Sequence, residues 1–126
     1  MKRMEGDPLV KQRRSQIARQ LAMQRVSQAV PKADVVVTNP THFAVALRYD
    51  ADTMAAPKVV AKGADYMALR IRQLAMANDV PLVERKTLAR GLYQAVEVGQ
   101  EVPPQYFSAV AEILAYVYRL SGTRVA

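Results

Sequence analysis

The stretch Asp34-Val35-Val36-Val37-Thr38-Asn39-Pro40-Thr41-His42-Phe43-Ala44-Val45-Ala46-Leu47-Arg48-Tyr49 decides how this chain folds. Residues 34–38 form a β-branched run that predicts a buried strand. Over residues 42–49, Phe43, Val45, Leu47 and Tyr49 alternate with Ala44, Ala46 and Arg48. That period of two predicts a second strand with one larger apolar face. The four residues between the runs must bend, because proline fixes its own φ and pushes Asn39 away from the helical region.

The bend also carries chemistry. In ordinary asparagine decay the next backbone nitrogen attacks the side-chain amide, but Pro40 has no N–H and closes that route. The reverse attack remains, in which the Asn39 side-chain nitrogen closes on its own backbone carbonyl and expels Pro40 as a new amino terminus. An oriented intramolecular attack of this kind gains roughly 7–11 kcal/mol in favourable cases. The departing nitrogen needs a proton and the attacked oxygen needs stabilisation. His42 is the candidate to relay or donate the proton, histidine being the side chain that changes charge near physiological pH. Thr41 is the candidate to hydrogen-bond the turn or the developing oxyanion. Asn and Pro are also common turn residues for conformational reasons alone. The whole quartet, however, arises by chance on the order of once in a few thousand chains of this length at ordinary residue frequencies.

Upstream, Asp7 suits an N-cap and Pro8 a first helical position, which predicts a helix over 8–29 stopped by Val30-Pro31. Its apolar residues, Leu9, Ile17, Leu21 and Val26, are too sparse to fold alone, so the helix protrudes or frays. Downstream, Lys58 to Lys62 reads as a third strand closed by Gly63. From Ala64, Met67, Ile71, Leu74 and Ala75 recur at helical spacing to a stop near Asn78. Val80 to Glu84 reads as a fourth strand. Thr87 is the expected N-cap of a helix carrying Leu88, Leu92, Ala95 and Val96. A last helix follows Val102-Pro103-Pro104 with Phe107, Val110, Ala111, Leu114 and Val117 on one side. The fold class is α/β, a small mixed four-stranded sheet covered by helices, with a protruding basic N-terminal helix. Two units follow, a basic helical arm over 1–32 and a compact domain over 33–126.

With 126 residues and 51% hydrophobic composition the chain has enough for one modest core. It has no cysteine and one histidine, which excludes a disulfide framework, a thiolate nucleophile and a His-rich metal site; no cofactor or metal is expected. No stretch approaches the roughly 18–20 apolar residues of a membrane span, so the chain as given reads as soluble. Of the net charge of +7, residues 1–32 carry eight basic side chains against Glu5 and Asp7, a local +6 that leaves +1 for the other 94 residues. Such an arm suits an anionic partner, nucleic acid or a phospholipid surface, with a solvated linker as the plain alternative. No aromatic residue precedes Phe43, which disfavours stacking on single-stranded nucleic acid.

The residues 32–49, with Glu5-Gly6-Asp7-Pro8, Ala56 to Gly63 and Leu88-Ala89-Arg90, resemble the cytoplasmic domain of the FlhB/YscU family of type III secretion switch proteins. The Gly-Asp-Pro start is closer to the flagellar branch than to the injectisome branch. Phe43, where tyrosine is frequent, and Thr87, where proline is usual, depart from the pattern. The resemblance implies self-cleavage between Asn39 and Pro40, with Asn39, Pro40, Thr41 and His42 as the site. It implies transmembrane helices before residue 1 and a place at the cytoplasmic face of the bacterial inner membrane. The implied partners are flagellar export apparatus proteins, a hook-length control protein and export substrates, which the domain switches from rod and hook to filament types. Within that setting the arm would lie on anionic lipid through Lys11, Arg13, Arg14 and Arg19. Cleavage would be one intramolecular event rather than enzymatic turnover, with fragments 1–39 and 40–126 staying together. The competing expectation is a non-cleaving module that binds nucleic acid or a membrane surface through the arm.

Overall fold

A computed structural model describes residues 6–40 and 42–122. Among these residues, four helices and four strands follow in the order α1 (Pro8–Ala29), β1 (Val35–Asn39), β2 (Phe43–Arg48), β3 (Lys58–Ala64), α2 (Tyr66–Ala77), β4 (Leu82–Glu84), α3 (Lys86–Ala95) and α4 (Phe107–Ser121). Single 3-10 turns at Val30–Lys32 and Pro104–Tyr106 link α1 to the sheet and lead into α4. The sheet order is β3-β2-β1-β4, with β2 antiparallel to β1 and β3, and β4 parallel to β1. This is the mixed α/β architecture expected from the strand and helix periods.

Both faces of the sheet are buried, because α3 and α4 cover one and α2 with the end of α1 covers the other. Val35, Val37, Val45, Leu47 and Val59 face α3 and α4, where they meet Leu92, Val110, Ile113 and Leu114. Val36, Ala44, Ala46 and Ala61 face the other way, against Val26 and Val30 of the arm and Ala68, Ile71 and Ala75 of α2. In β2 the period of two thus sorts by size, Val45 and Leu47 toward α3 and α4, Ala44 and Ala46 toward α2. Small residues let α2 lie close, and Gly63 marks the tightest point: an added Cβ would sit 2.5 Å from Met67 Cγ.

Several boundaries differ from the sequence expectation for tertiary reasons. β1 runs through Asn39, and β3 runs through Gly63 to Ala64, since Ala44 pairs with Gly63 and Phe43 with Ala64. Thr87 is not the N-cap of α3. The helix starts at Lys86, with Arg85 in the cap position, because the Arg85 N–H donates to the Thr38 carbonyl at 3.0 Å and pins the chain there. Phe107 and Ala111 lie exposed on α4, away from the core that takes Val110, Leu114 and Val117. In α1, Asp7 caps through Leu9 N–H and Pro8 opens the helix. None of residues 9–25 is buried, whereas Val26 and Val30 are, so the helix stands out from the body and docks by its last turns. Among the described residues, no helix is long and apolar enough to cross a membrane.

Candidate functional site

Asn39 and Phe43 face each other at the end of the β1–β2 ladder, which leaves Pro40, Thr41 and His42 as a three-residue connection. The His42 N–H donates to the Asn39 carbonyl at 3.0 Å, closing a tight turn over residues 39–42. Pro40 then occupies the second turn position, the one its fixed φ suits. Asn39 and Pro40 are half-buried, and His42 is exposed. Thr41 lies outside the described residues, so its expected contact to the turn is not described.

The group aimed at the Asn39 carbonyl is therefore a backbone amide. That carbonyl belongs to the Asn39–Pro40 bond, and a donor already seated on it is suited to an oxygen that gains charge. The His42 carbonyl in turn accepts the Asp65 N–H at 3.0 Å, from the junction between β3 and α2. Sequence reading missed this residue, since the helix expected from Ala64 onward simply takes it in. Asp65 has a φ of +52°, a left-handed value for a non-glycine residue.

Behind the turn, aromatic packing ties the hairpin to α3. The Phe43 ring lies 4.7 Å from that of Tyr93, and the His42 ring 6.5 Å from that of Phe43. Lys62 Nζ sits 5.0 Å over the Tyr93 ring, donates to the Tyr93 carbonyl at 2.9 Å and approaches Glu97 at 3.6 Å. On the β4 side, buried Thr38 pairs with Glu84. Each strand that flanks the hairpin thus contributes to holding its end.

Two apolar depressions lie elsewhere. One, about 330 Å³, opens between Tyr49, residues 55–57 and α4, at the far end of β2 from the turn. The other, about 590 Å³, runs along residues 84–88 beside Tyr106. Among the described residues no cluster of histidine, aspartate and glutamate side chains could hold a metal ion.

A two-layered covering of a four-stranded mixed sheet, with an Asn-Pro turn between its interior strands, defines the class, and comparison with known proteins gives the family. The model described as the FlhB HrpN YscU SpaS family matches residues 1–117, and the chain belongs to that family. It is 54% identical over 118 residues to the flagellar biosynthetic protein FlhB of Bacillus subtilis, covering 94% of this chain and 33% of that protein. With FlhB of Escherichia coli it shares 54% identity over 125 residues, 99% of this chain and 33% of the relative. The chain thus spans about a third of the length of these relatives. The crystal structure of the cytoplasmic domain of FlhB from Shewanella putrefaciens is similar with a TM-score of 0.75 at 42% identity, over 79% of this chain and 76% of that one. A mutated EscU C-terminal domain is similar with a TM-score of 0.71 at 34% identity, over 73% of this chain and 92% of that one.

Proposed function

We propose that this domain breaks its own backbone between Asn39 and Pro40, and that the cut switches a flagellar type III export apparatus from rod and hook substrates to filament substrates. The observation that carries the reading is the 3.0 Å hydrogen bond from the His42 amide to the Asn39 carbonyl, the carbonyl that would be attacked. Asn39 Nδ2 adds to that carbon, and the C–N bond to Pro40 breaks. Nδ2 gives up one proton, and the Pro40 nitrogen gains one. Residues 1–39 then end in a succinimide, which water opens, and residues 40–126 begin with a secondary amine. The His42 amide holds the oxygen as charge builds. The exposed His42 imidazole carries the proton to Pro40, directly or through water. Thr41 supports the turn in this scheme on sequence grounds alone. Each chain reacts once, so this is not turnover catalysis.

Membership of the FlhB family supports the setting, which we take to be the cytoplasmic face of the inner membrane, with export apparatus proteins, export substrates and a hook-length control protein as partners. Lys11, Arg13, Arg14 and Arg19 are all exposed on α1, and we assign them to an anionic lipid surface. The test is intact mass and gel analysis of purified protein. Two fragments, 1–39 and 40–126, are expected under denaturing conditions and one species under native conditions, with Asn39→Ala giving a whole chain. A single unbroken mass from aged, unmutated protein contradicts the reading.

A further inference from the structure

Asp65 is held in a backbone conformation, φ +52° and ψ −112°, that costs a non-glycine residue on the order of 1–3 kcal/mol. A helix N-cap aspartate normally offsets such costs by accepting a backbone N–H, yet the Asp65 carboxylate makes no cap hydrogen bond to α2. What this conformation does achieve is a junction: the Asp65 N–H extends the β2–β3 ladder by one rung, to the His42 carbonyl at 3.0 Å, and the positive φ turns the chain into α2 straight after it. His42 is thereby gripped twice, its carbonyl by Asp65 and its N–H by the Asn39 carbonyl. The grip comes from a rigid place, since β3 pairs with β2 up to Ala64 opposite Phe43 and α2 begins at Tyr66.

We propose that Asp65 is a positioning residue for self-cleavage: its backbone N–H clamps the His42 carbonyl so that the His42 amide stays aimed at the Asn39 carbonyl, and its positive φ lets α2 start at the next residue without pulling that N–H away. The inference rests on the self-cleavage reading above. His42 is exposed and belongs to a three-residue connection, so without an outside tether the peptides on either side of it can rotate together and swing the N–H off the oxygen. A misplacement of about 1 Å at a reacting centre costs on the order of a hundredfold in rate. The clamp acts through the backbone. Its requirement is an N–H at residue 65 and a positive φ there, which glycine also meets and proline cannot.

The test uses the full chain made by cell-free translation, with whole and cut masses followed after synthesis stops. Asp65→Pro, which removes the N–H and bars positive φ, is expected to slow cutting about a hundredfold. Asp65→Gly, which keeps both, is expected to stay within about fivefold of the parent. A second readout separates positioning from stability. In an Asn39→Ala background, which keeps the chain whole, hydrogen exchange at the His42 amide is expected to speed up at least about tenfold with Asp65→Pro and to stay slow with Asp65→Gly. The amides of Val36 and Val45 report the sheet and should remain protected in both. If they lose protection in Asp65→Pro, Asp65→Val replaces it, because it keeps the N–H but holds positive φ only under strain; slowed cutting and faster His42 exchange are expected there too. Cutting at the parent rate in the folded variant overturns the inference, as does slowed cutting with unchanged His42 protection. An unmutated chain that never cuts overturns the self-cleavage reading itself, and this inference with it.

Discussion

At the scale of single residues, Asn39, Pro40 and His42 could be picked out from their types alone, because amide, missing N–H and imidazole are chemical facts that need no coordinates. Asp65 could not. An aspartate in the first turn of an expected amphipathic helix reads as an ordinary outward-facing residue, and a positive φ at a non-glycine residue leaves no mark in sequence. The same limit applies to Tyr118, whose hydroxyl donates to the Tyr49 carbonyl at a long 3.5 Å. Burial, and then the charges of Asp34, Tyr49 and Asp50, raise its pKa above the ordinary 10.0. The protonated phenol is favoured in the folded state, so its contribution is fully present below the ordinary phenol range and is lost as pH rises through the raised value. Urea unfolding of parent and Tyr118→Phe from pH 8 upward checks this. The stability difference should stay constant to about pH 10 and then shift against the parent, whose half-buried phenol resists ionising in the fold.

At the scale of elements, order and type were legible throughout, while the ends of β1, β3, β4, α2 and α3 were not. β3 was expected to close at Gly63, since glycine usually punctuates a strand. Here it serves close approach instead, opposite Ala44 and under Met67. Gly63→Ala would bring a methyl group to 2.5 Å from Met67 Cγ, 2.7 Å from its Cβ and 3.0 Å from its backbone carbon, so α2 must move away from the sheet. A loss of about 1–3 kcal/mol is expected in denaturant unfolding. Since β3 leads directly into Asp65, slower cutting should accompany it. The start of α3 shows the same principle. Thr87 has the better capping chemistry, but the Arg85 N–H bond to Thr38 decides where the chain leaves β4 and turns. Local preference yielded to a contact 47 residues away in sequence.

At the scale of the molecule, the Asn39–Pro40 bond divides the fold unequally. Residues before it supply the interior strand β1 and the docked end of α1, with Val26, Val30, Val35, Val36 and Val37 all buried. Full burial of five valines is worth on the order of 10 kcal/mol as an upper figure. β1 is also hydrogen-bonded on both edges, to β2 and β4. If the bond is cut, the fragments should co-elute in native chromatography and part only in denaturant. Val36→Ala, which opens a void beneath α2, should lower the urea concentration needed to part them, by about 2 kcal/mol of stability. Separation of the parent's fragments in plain buffer would contradict this account.

Hydrophobic period, proline, glycine and charge act over a few residues, and so the sequence by itself determined the α/β class, the element order, the outstanding basic helix and the place of the Asn-Pro pair between two strands. Only the tertiary structure decided that β1 is interior and clasped on both edges, that the valines of β1 divide between two helix layers, and that Asp65 reaches the turn through His42. Those features depend on which distant segments become neighbours, and the free energy that selects them comes from burying both sheet faces together, a property that no local window contains.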